Sequence, residues 1–338
     1  MQVELREHWN DLLLMIPEEK RDIYYTEEYV RLYENEGSKA LAVCCIEGGK
    51  VWIFPIMRRM WEEFYDYETA YGYGGAITNS DDPIWKMTAD GKCADLLREN
   101  GFLCGLIRFH PLLQNEKDMR GNLDLRFERE TVYIDLRPSI EDIWSKQITS
   151  KNRNIIRKAD KNGLTYRVTE GCESLLVFSE LYKETMTRLE ADEFYFFDDK
   201  YYKKLLSNKG CFIALVEKDG RVLSAAIFMR YGSIGHYHLS GNTREGNSFG
   251  ANSFLLWNTI KHFKQDGVEY FHLGGGSSNR TEDTLFRFKA AFSPYRGQYY
   301  IGKAIYLEKE YMRICEEWEL KNPDKIDKYG NRVLKYRY

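Results

Sequence analysis

One order of predicted elements occurs twice in the chain, and this repeat constrains the fold more than any single motif. A hairpin is followed by a glycine-marked strand region, a helix, a glycine and another strand, near residues 40–109 and again near 211–273. The tight turns Gly48-Gly49 and Asp219-Gly220, each between two strand-like runs, are typical of hairpins. The sequence therefore predicts an α+β (mixed α/β) fold with two domains of one architecture, each a central mixed, mainly antiparallel sheet flanked by helices.

Length and composition agree with a protein of two globular domains. The 338 residues are enough for two cores, and the chain is 43% hydrophobic and 30% charged. Its apolar runs are shorter than the ~18 residues that span a bilayer, and its start is too acidic for a secretory signal. We therefore expect a cytoplasmic protein, with domains at 1–136 and 137–306 and a C-terminal helix and tail at 307–338.

Charge and cysteine usage limit the kinds of partner and site. The formal net charge is −3, so any contact with nucleic acid must come from a local basic patch. The seven cysteines lack CxxC or Cys/His metal spacing, which favours reduced thiols. His236 and His238 share a predicted strand face but have no third ligand at a suitable spacing, so no metal site is predicted.

The stretch from His236 to Phe292 holds the densest set of candidate site residues. It predicts a strand, a small polar connection, a helix over Ala251–Gln265, a second strand, a glycine run and a basic-aromatic turn. Alternation predicts one polar side of the first strand, formed by His236, His238 and Ser240. A loop between a strand end and a helix start offers free backbone N–H groups, which can hold an anionic or carbonyl group.

A basic helix is predicted over Lys151–Lys161. Arg153, Arg157 and Lys161 are four residues apart and fall on one face. Such a face can contact the phosphates of a nucleotide-linked or lipid-linked precursor, or of tRNA. A merely solvated charged face is the alternative.

These segments resemble one known family. Residues 240–292, with FGANSFLLWNTIKHFKQDGVEYFHLGG and LFRFKAAF, resemble the carboxy-terminal half of the FemABX (Fem/MurM-type) peptidyltransferases, a branch of the GCN5-related N-acyltransferase (GNAT) superfold. SKNRNIIRKADKNGL resembles the basic helix that opens that family's second domain, and RFHPLL resembles its first-domain strand end. The resemblance implies two tandem GNAT-like domains, the second carrying the acyl-donor site. It also implies a cytoplasmic enzyme of peptidoglycan biosynthesis that transfers an amino acid from aminoacyl-tRNA to an amine.

Within RFKAAF, Lys289 aligns with the catalytic lysine of the family, and Phe288 lies beside it. The resemblance implies that Lys289 stabilises negative charge on the carbonyl under attack. A fixed ammonium at a developing oxyanion can lower the barrier by several kcal/mol. The alternative is a surface lysine on an amphipathic turn, pinned by Phe288 and Phe292.

The predicted donor-binding residues are Asn247, Gly250, Ala251 and Asn252. They lie where coenzyme-A acyltransferases place the pyrophosphate loop Q/R-x-x-G-x-G/A. Gly250 fits that pattern, whereas asparagines replace the usual outer residues, and a plain strand-to-helix turn is the alternative. The donor stays open between aminoacyl-tRNA and acyl-coenzyme A, each as a co-substrate with no tightly bound cofactor.

The predicted substrate-binding residues are Tyr73, Arg108, His110, Arg153, Arg157 and Arg188. Arg108 and His110 end a first-domain strand, where an interdomain cleft is expected. His110 can accept the amine's proton near neutral pH or be a hydrogen-bonded structural histidine. The resemblance implies that Arg153 and Arg157 bind the diphosphate of a nucleotide- or lipid-linked muropeptide precursor, with peripheral membrane contact through a lipid-linked one. It also matches Arg188 to an arginine of the family's second domain, for which a surface salt bridge is the alternative.

Three functions follow from the sequence. The first is aminoacyl transfer to an amine of a peptidoglycan precursor by direct attack, with Lys289 at the reacting carbonyl. The second is an acyl-coenzyme-A-dependent N-acyltransferase that acts on an envelope sugar or amine. The third is a non-catalytic GNAT-like binding module.

Overall fold

The structure is a computed structural model that describes residues 1–119, 121, 123–278, 280 and 282–338. The strands are β1 (Gln2–Arg6), β2 (Ser38–Glu47), β3 (Lys50–Trp61), β4 (Phe64–Glu68), β5 (Ile77–Thr78), β6 (Phe102–Arg108), β7 (Leu123–Asp135), β8 (Thr165–Glu170), β9 (Phe212–Lys218), β10 (Arg221–Tyr231), β11 (Ile234–Asn242), β12 (Tyr270–Gly274) and β13 (Arg296–Ile305). The helices are α1 (Asn10–Leu13), α2 (Glu27–Val30), α3 (Pro83–Glu99), α4 (Ile140–Asp142), α5 (Ser150–Lys161), α6 (Leu175–Arg188), α7 (Asp199–Leu206), α8 (Arg244–Phe249), α9 (Ala251–Gln265), α10 (Thr284–Ala290), α11 (Glu308–Lys321) and α12 (Ile326–Tyr329). None of the helices in these ranges has the length and apolarity needed to cross a bilayer.

The chain divides into two compact units. The first unit comprises Met1–Arg129 and Gln298–Tyr338, and the second unit comprises Glu130–Gly297. In the described part of the first unit, six strands follow the order β1-β2-β3-β4-β6-β13. The pair β4–β6 is parallel, and the other four neighbouring pairs are antiparallel.

The second unit repeats this plan strand for strand. Its described strands follow the order β8-β9-β10-β11-β12-β7, with β11–β12 parallel and the other neighbouring pairs antiparallel. In each unit a long helix, α3 or α9, connects the two parallel strands, as a parallel crossover requires. The predicted α+β fold with two tandem domains of one architecture is therefore confirmed.

The units have different bounds from the predicted domains at 1–136, 137–306 and 307–338. Strand β7 pairs with β12 through residues 132–135, so the second unit already begins at Glu130. Strand β13 pairs with β6, so the first unit resumes at Gln298. The segment 307–338 packs into the first unit, where Trp318 and Tyr336 are buried with Leu103. Strand pairing, which the sequence pattern does not reveal, decides these bounds.

The predicted hairpin turns form as expected. Gly48 and Gly49 have φ values of +55° and +82°, and Asp219 and Gly220 have φ values of +49° and +73°. Two successive residues with positive φ match the right-handed twist of the flanking strands, which is why these dipeptides join β2 to β3 and β9 to β10.

The core of the second unit positions its site. Helix α9 buries Leu255, Ile260 and Phe263 against the sheet, where Phe228 and Phe271 contribute the facing rings. Helix α6 packs on β11 so closely that a Cβ on Gly241 would lie 2.6 Å from the Leu181 carbonyl oxygen. Helices α6 and α9 thus enclose the sheet of this unit, and β11 and β12 lie between them.

Candidate active site

The two parallel strands of the second unit separate before they end. Strands β11 and β12 pair only from Ile234–Tyr270 to His236–His272. Strand β11 then continues to Asn242 with β10 as its described partner. The edge of β11 that faces away from β10 is therefore not covered by a strand over its last residues. Such an edge presents backbone polar groups to a ligand instead of to a sheet ladder.

A β-bulge at His238 changes the faces of β11. Tyr237 is opposite Phe228 and Leu239 is opposite Ile227, so one residue of β11 is extra between them. Tyr237 and Leu239 therefore point to opposite faces, although two positions separate them. The prediction that His236, His238 and Ser240 form one polar side is wrong at Ser240, because the bulge shifts the alternation.

The bulged residue has a defined partner. His238 Nε2 lies 2.8 Å from the hydroxyl of Tyr201 on α7. Burial first, and the neighbouring His236 second, lower the pKa of His238 to about 3, so its imidazole is neutral at physiological pH. Phe197 stacks on the Tyr201 ring with centroids 4.2 Å apart, which fixes the orientation of the tyrosine.

His236 and His272 lie side by side where the two strands are still paired. Their ring centroids are 5.7 Å apart, and both side chains are buried. Sequence analysis did not find Tyr201 or His272 as site residues. Tyr201 is 37 residues before His238, and no local pattern links a helix residue to a bulge on a later strand.

Lys289 lies at the end of β12. It is 8% exposed, and its Nζ donates a 2.7 Å hydrogen bond to the carbonyl oxygen of Gly275. Gly274 has φ +78°, and a Cβ there would lie 3.2 Å from Lys289 Nζ. The basic-aromatic turn predicted here is the short helix α10, in which Phe288 packs edge-on against the buried Phe292. The glycine run thus allows the backbone to approach a buried ammonium group.

The loop after β12 is fixed by Asp283, the N-cap of α10. Its carboxylate accepts hydrogen bonds from the hydroxyl of Ser277, from the N–H and hydroxyl of Ser278, and from the N–H of Phe286. Burial alone would raise the pKa of Asp283, but these hydrogen bonds outweigh it and lower the pKa below its usual value. The ionised carboxylate therefore holds the loop against the helix that carries Lys289.

The predicted donor loop is helical instead. Thr243 caps α8, and Gly250, with φ +72°, ends it directly before α9. Ala251 is fully buried, the side-chain amide oxygen Oδ1 of Asn252 accepts a hydrogen bond from the Ser224 hydroxyl, and a Cβ on Gly250 would meet Ile155 at 2.4 Å. Asn247 is exposed on α8. The expectation of an open loop is wrong, because a threonine N-cap and a left-handed glycine C-cap fold residues 244–249 into a helix.

The arginines predicted for the second unit have different surroundings. Arg153 donates to the carbonyl oxygens of Trp144, Ser145 and Ile148, so it caps the turn that precedes α5. Arg157 is exposed, with its guanidinium carbon 5.3 Å from the centroid of the Trp144 ring. Arg188 donates to the backbone and side-chain oxygens of Asn242 and so ties α6 to the end of β11.

The predicted residues of the first unit lie in a dense network. His110 is buried, its Nε2 lies 2.6 Å from Asp22, and its Nδ1 accepts the backbone N–H groups of residues 112 and 113. These contacts are those of a hydrogen-bonded structural histidine with its proton on Nε2. Tyr73 packs edge-on against His110 and Tyr299, and burial raises its pKa well above the usual value.

Arg108 also has partners within this unit. It donates to the Glu68 carboxylate at 2.6 Å and to the backbone oxygen of Thr69 at 2.8 Å. Burial lowers the pKa of Arg108, but the Glu68 carboxylate outweighs it and raises the pKa overall. The guanidinium is therefore a fixed cation next to the end of β4.

The chain was compared with protein families, curated sequences and solved structures. Residues 147–290 match the family model described as "Acetyltransferase (GNAT) domain". A comparison with curated protein sequences gives no match. Among solved structures, the chain is similar to FemX, with a TM-score of 0.70 and 15% identity over 93% of this chain and 100% of that chain. It is also similar to L-PGS from Bacillus licheniformis, with a TM-score of 0.57 and 14% identity over 88% and 92% of the two chains.

A third similar structure is a tandem GNAT protein from the clavulanic acid biosynthesis pathway. The TM-score is 0.50 and the identity 8%, over 90% of this chain and 99% of that chain. At such identities the likeness is one of fold. The resemblance to the FemABX branch of the GNAT superfold is confirmed at that level, and the match over 147–290 confirms the predicted enzyme class. The chain is an acyltransferase built from two tandem GNAT-like units.

Proposed function

We propose that the protein transfers an aminoacyl group to an amine of a peptidoglycan precursor, and that the reacting carbonyl lies between the C-terminal ends of β11 and β12. The observation that supports this proposal is the separation of these two strands beside a buried lysine. Strands β11 and β12 are no longer paired after His236 and His272, and Lys289 Nζ donates to the carbonyl oxygen of Gly275, the residue directly after β12. This unit is also the one that matches the acetyltransferase family.

The chemistry needs few groups. A neutral amine attacks the carbonyl carbon of the donor, the carbonyl oxygen becomes an oxyanion, and the donor's leaving group departs as the amine loses a proton. Holding both reactants in place supplies much of the rate enhancement. The buried ammonium of Lys289 stabilises the oxyanion without reorganising, because Gly275 and the packed α10 already hold it. Because its pKa is lowered to about 3, His238 is a poor proton acceptor and instead holds the Tyr201 hydroxyl, so the proton of the amine passes to the donor's leaving group.

The acyl donor in this proposal is either aminoacyl-tRNA or acyl-coenzyme A. A coenzyme-A thioester needs a pyrophosphate site, and the segment proposed for it is helix α8, followed by a glycine packed on Ile155. This arrangement favours aminoacyl-tRNA as the co-substrate. An acyl-coenzyme-A-dependent N-acyltransferase of envelope sugars or amines remains the second candidate, which the acetyltransferase match over 147–290 favours.

We propose a muropeptide precursor as the acceptor. The sequence resemblance to the FemABX peptidyltransferases implies a muropeptide precursor that is nucleotide- or lipid-linked, and the likeness in fold to FemX agrees with that resemblance. A lipid-linked precursor would bring the protein to the membrane surface through its substrate, in a cytoplasmic setting. Of the predicted arginines, Arg157 alone is exposed, whereas Arg108 is paired with Glu68, and Arg153 and Arg188 donate to backbone oxygens.

The test is mass spectrometry of a stem-peptide precursor incubated with the protein. One reaction contains tRNA charged with a mixture of amino acids, and a parallel reaction contains acyl-coenzyme A. We expect a mass increase equal to one aminoacyl residue in the tRNA reaction alone. A product only with acyl-coenzyme A would replace the first candidate by the second. Precursor binding with no product in either reaction would indicate a non-catalytic binding module.

A further inference from the structure

Helix α5 carries an excess of positive charge that the protein does not neutralise. Its 12 residues include five basic side chains and one acidic side chain, in a chain with a net charge of −3. Four of the basic side chains are exposed, on the side of the helix away from the buried Asn152, Ile156 and Ala159; they are Lys151, Arg157, Lys158 and Lys161. In the described part of the chain these four form no ion pair with a carboxylate.

Many other surface cations of the second unit are bonded to carboxylates at short range. The pairs include Arg137–Asp135 at 2.7 Å, Lys146–Asp142 at 2.9 Å, Arg167–Glu217 at 3.1 Å, Lys218–Asp219 at 2.9 Å and Arg230–Asp266 at 2.7 Å. Helix α5 carries four unneutralised cations on one face, a larger set than the three exposed lysines of α7 (Lys200, Lys203 and Lys204), and can serve as a binding surface for a polyanion.

Two tryptophans lie beside this face. Trp144 and Trp257 are half-buried, with ring centroids 4.5 Å apart at an interplanar angle of 49°. The guanidinium of Arg157 lies over Trp144, and the ammonium of Lys261 lies 5.8 Å from the centroid of the Trp257 ring. Aromatic rings and arginine planes next to a basic track are the elements that bind single-stranded nucleic acid, because bases stack on them while the cations contact phosphates.

The dimensions of the face favour RNA over a single diphosphate. Ten helical steps from Lys151 to Lys161 cover about 15 Å at ~1.5 Å per residue. That length exceeds the span of a single diphosphate and leaves room for several phosphates along an RNA strand. A membrane surface fits less well, since no residue of 140–165 or 251–265 is an exposed large hydrophobic side chain that could enter a bilayer.

The face also adjoins the helix that carries the candidate catalytic lysine. The N–H of Thr149, the N-cap of α5, donates a 2.9 Å hydrogen bond to the carbonyl oxygen of Ala291, directly after α10. A strand of RNA on α5 would therefore begin next to the element that holds Lys289. Resting on the proposed aminoacyl transfer, we infer that the α5 face with Trp144 and Trp257 binds the unpaired 3′ end and adjacent phosphates of the donor tRNA.

The test measures binding of fluorescein-labelled, deacylated tRNA to the full chain by fluorescence anisotropy at several KCl concentrations. The test variant is Arg157→Gln/Lys158→Gln/Lys161→Gln. Its matched control is Lys200→Gln/Lys203→Gln/Lys204→Gln, which removes three exposed lysines from α7 of the same unit. Thermal unfolding checks that both variants fold. A third variant, Trp257→Leu, tests stacking.

We expect the α5 variant to bind tRNA at least about ten-fold more weakly, and its slope of log Kd against log salt to fall by about two, since each lost phosphate contact removes ~0.7–0.9 from the slope. We expect the α7 variant to keep the affinity and slope of the wild type. Trp257→Leu should weaken binding about ten-fold with the slope unchanged, because a stacked base is lost without a phosphate contact.

Unchanged tRNA binding by the α5 variant, or an equal loss by the α7 variant, would overturn the inference. So would a loss of binding to phosphatidylglycerol vesicles with tRNA binding intact, which would assign the face to a membrane. The readout does not depend on turnover. Wild-type tRNA binding without product formation would leave the inference standing and refute the proposed function, and product from acyl-coenzyme A without tRNA binding would do the reverse.

Discussion

Lys289→Ala separates a catalytic role from a structural one. The change removes a buried ammonium and its 2.7 Å hydrogen bond to Gly275. If the ammonium stabilises the oxyanion, kcat should fall by about 10²–10³, the usual effect of deleting one such donor. Loss of the charged hydrogen bond should also cost about 1.5–3 kcal/mol of folding free energy. For a unit of this size that corresponds to a fall in Tm of roughly 3–10 °C.

The second unit contains a matched control. Lys264 Nζ donates a 2.8 Å hydrogen bond to the carbonyl oxygen of Leu136, so Lys264→Ala removes the same kind of contact at another place. Both variants should lose Tm, but only Lys289→Ala should lose turnover in the mass-spectrometric assay, measured below the Tm of each variant. Turnover by Lys289→Ala within about threefold of the wild type would refute the reasoning, as would an equal loss of turnover by the Lys264 variant.

Three further predictions concern the packing and the pH dependence of stability. Gly241→Ala should lower the free energy of unfolding by about 1–3 kcal/mol in denaturant, because its Cβ would overlap the backbone of α6. Gly91→Ala, which lies in open space within α3, should raise the free energy of unfolding by ~0.5–1 kcal/mol. Equal effects of the two substitutions would contradict the packing argument. Because the pKa of His238 is lowered from 6.5 to about 3, stability should decline as pH falls from about 6.5 toward 3, and His238→Gln should flatten that decline in Tm. Because the pKa of Asp283 is lowered below 3.8, the contribution of its carboxylate to stability is complete above that pH and is lost as pH falls through the folded pKa. Asp283→Asn should therefore lower Tm at pH 7, and its Tm should approach that of the wild type near pH 2. A difference in Tm that stays constant with pH would refute the assignment.

Much of the fold could be predicted because local chemistry and global structure agree. The two glycine-containing turns adopt positive φ, and helix α9 has the predicted bounds Ala251–Gln265. Strand β4 was not predicted, because Asp66 and Glu68 are charges in a five-residue run. Asp66 is fully buried only because Arg59 and the distant Arg337 pair with it. No pattern within a short window reveals a partner 271 residues away.

For the candidate site, the sequence offered motifs but not the contacts that depend on tertiary packing. Lys289, which the RFKAAF motif singled out, stays a prediction as a catalytic residue, and the structure has it at the end of β12, next to the glycine run. The Tyr201–His238 pair depends on a bulge, and a bulge adds one residue without any compositional signal. Helix α8 did have signals, since Thr243 and Gly250 are residues that begin and end helices. The resemblance to a phosphate-binding loop outweighed them.

Strand β13, which pairs with β6 of the first unit, follows the second unit in the sequence, and this order has a consequence for synthesis on the ribosome. A nascent chain that has reached Arg129 contains β1, β2, β3, β4 and β6, but the outer edge of β6 stays unpaired until β13 emerges. At ~5–20 residues per second this delay lasts roughly 10–30 s, during which all six strands of the second unit are made in one contiguous stretch. The second unit can therefore finish folding before the first. The waiting edge of β6 is the point at which a stalled or truncated chain would pair with another copy or require a chaperone.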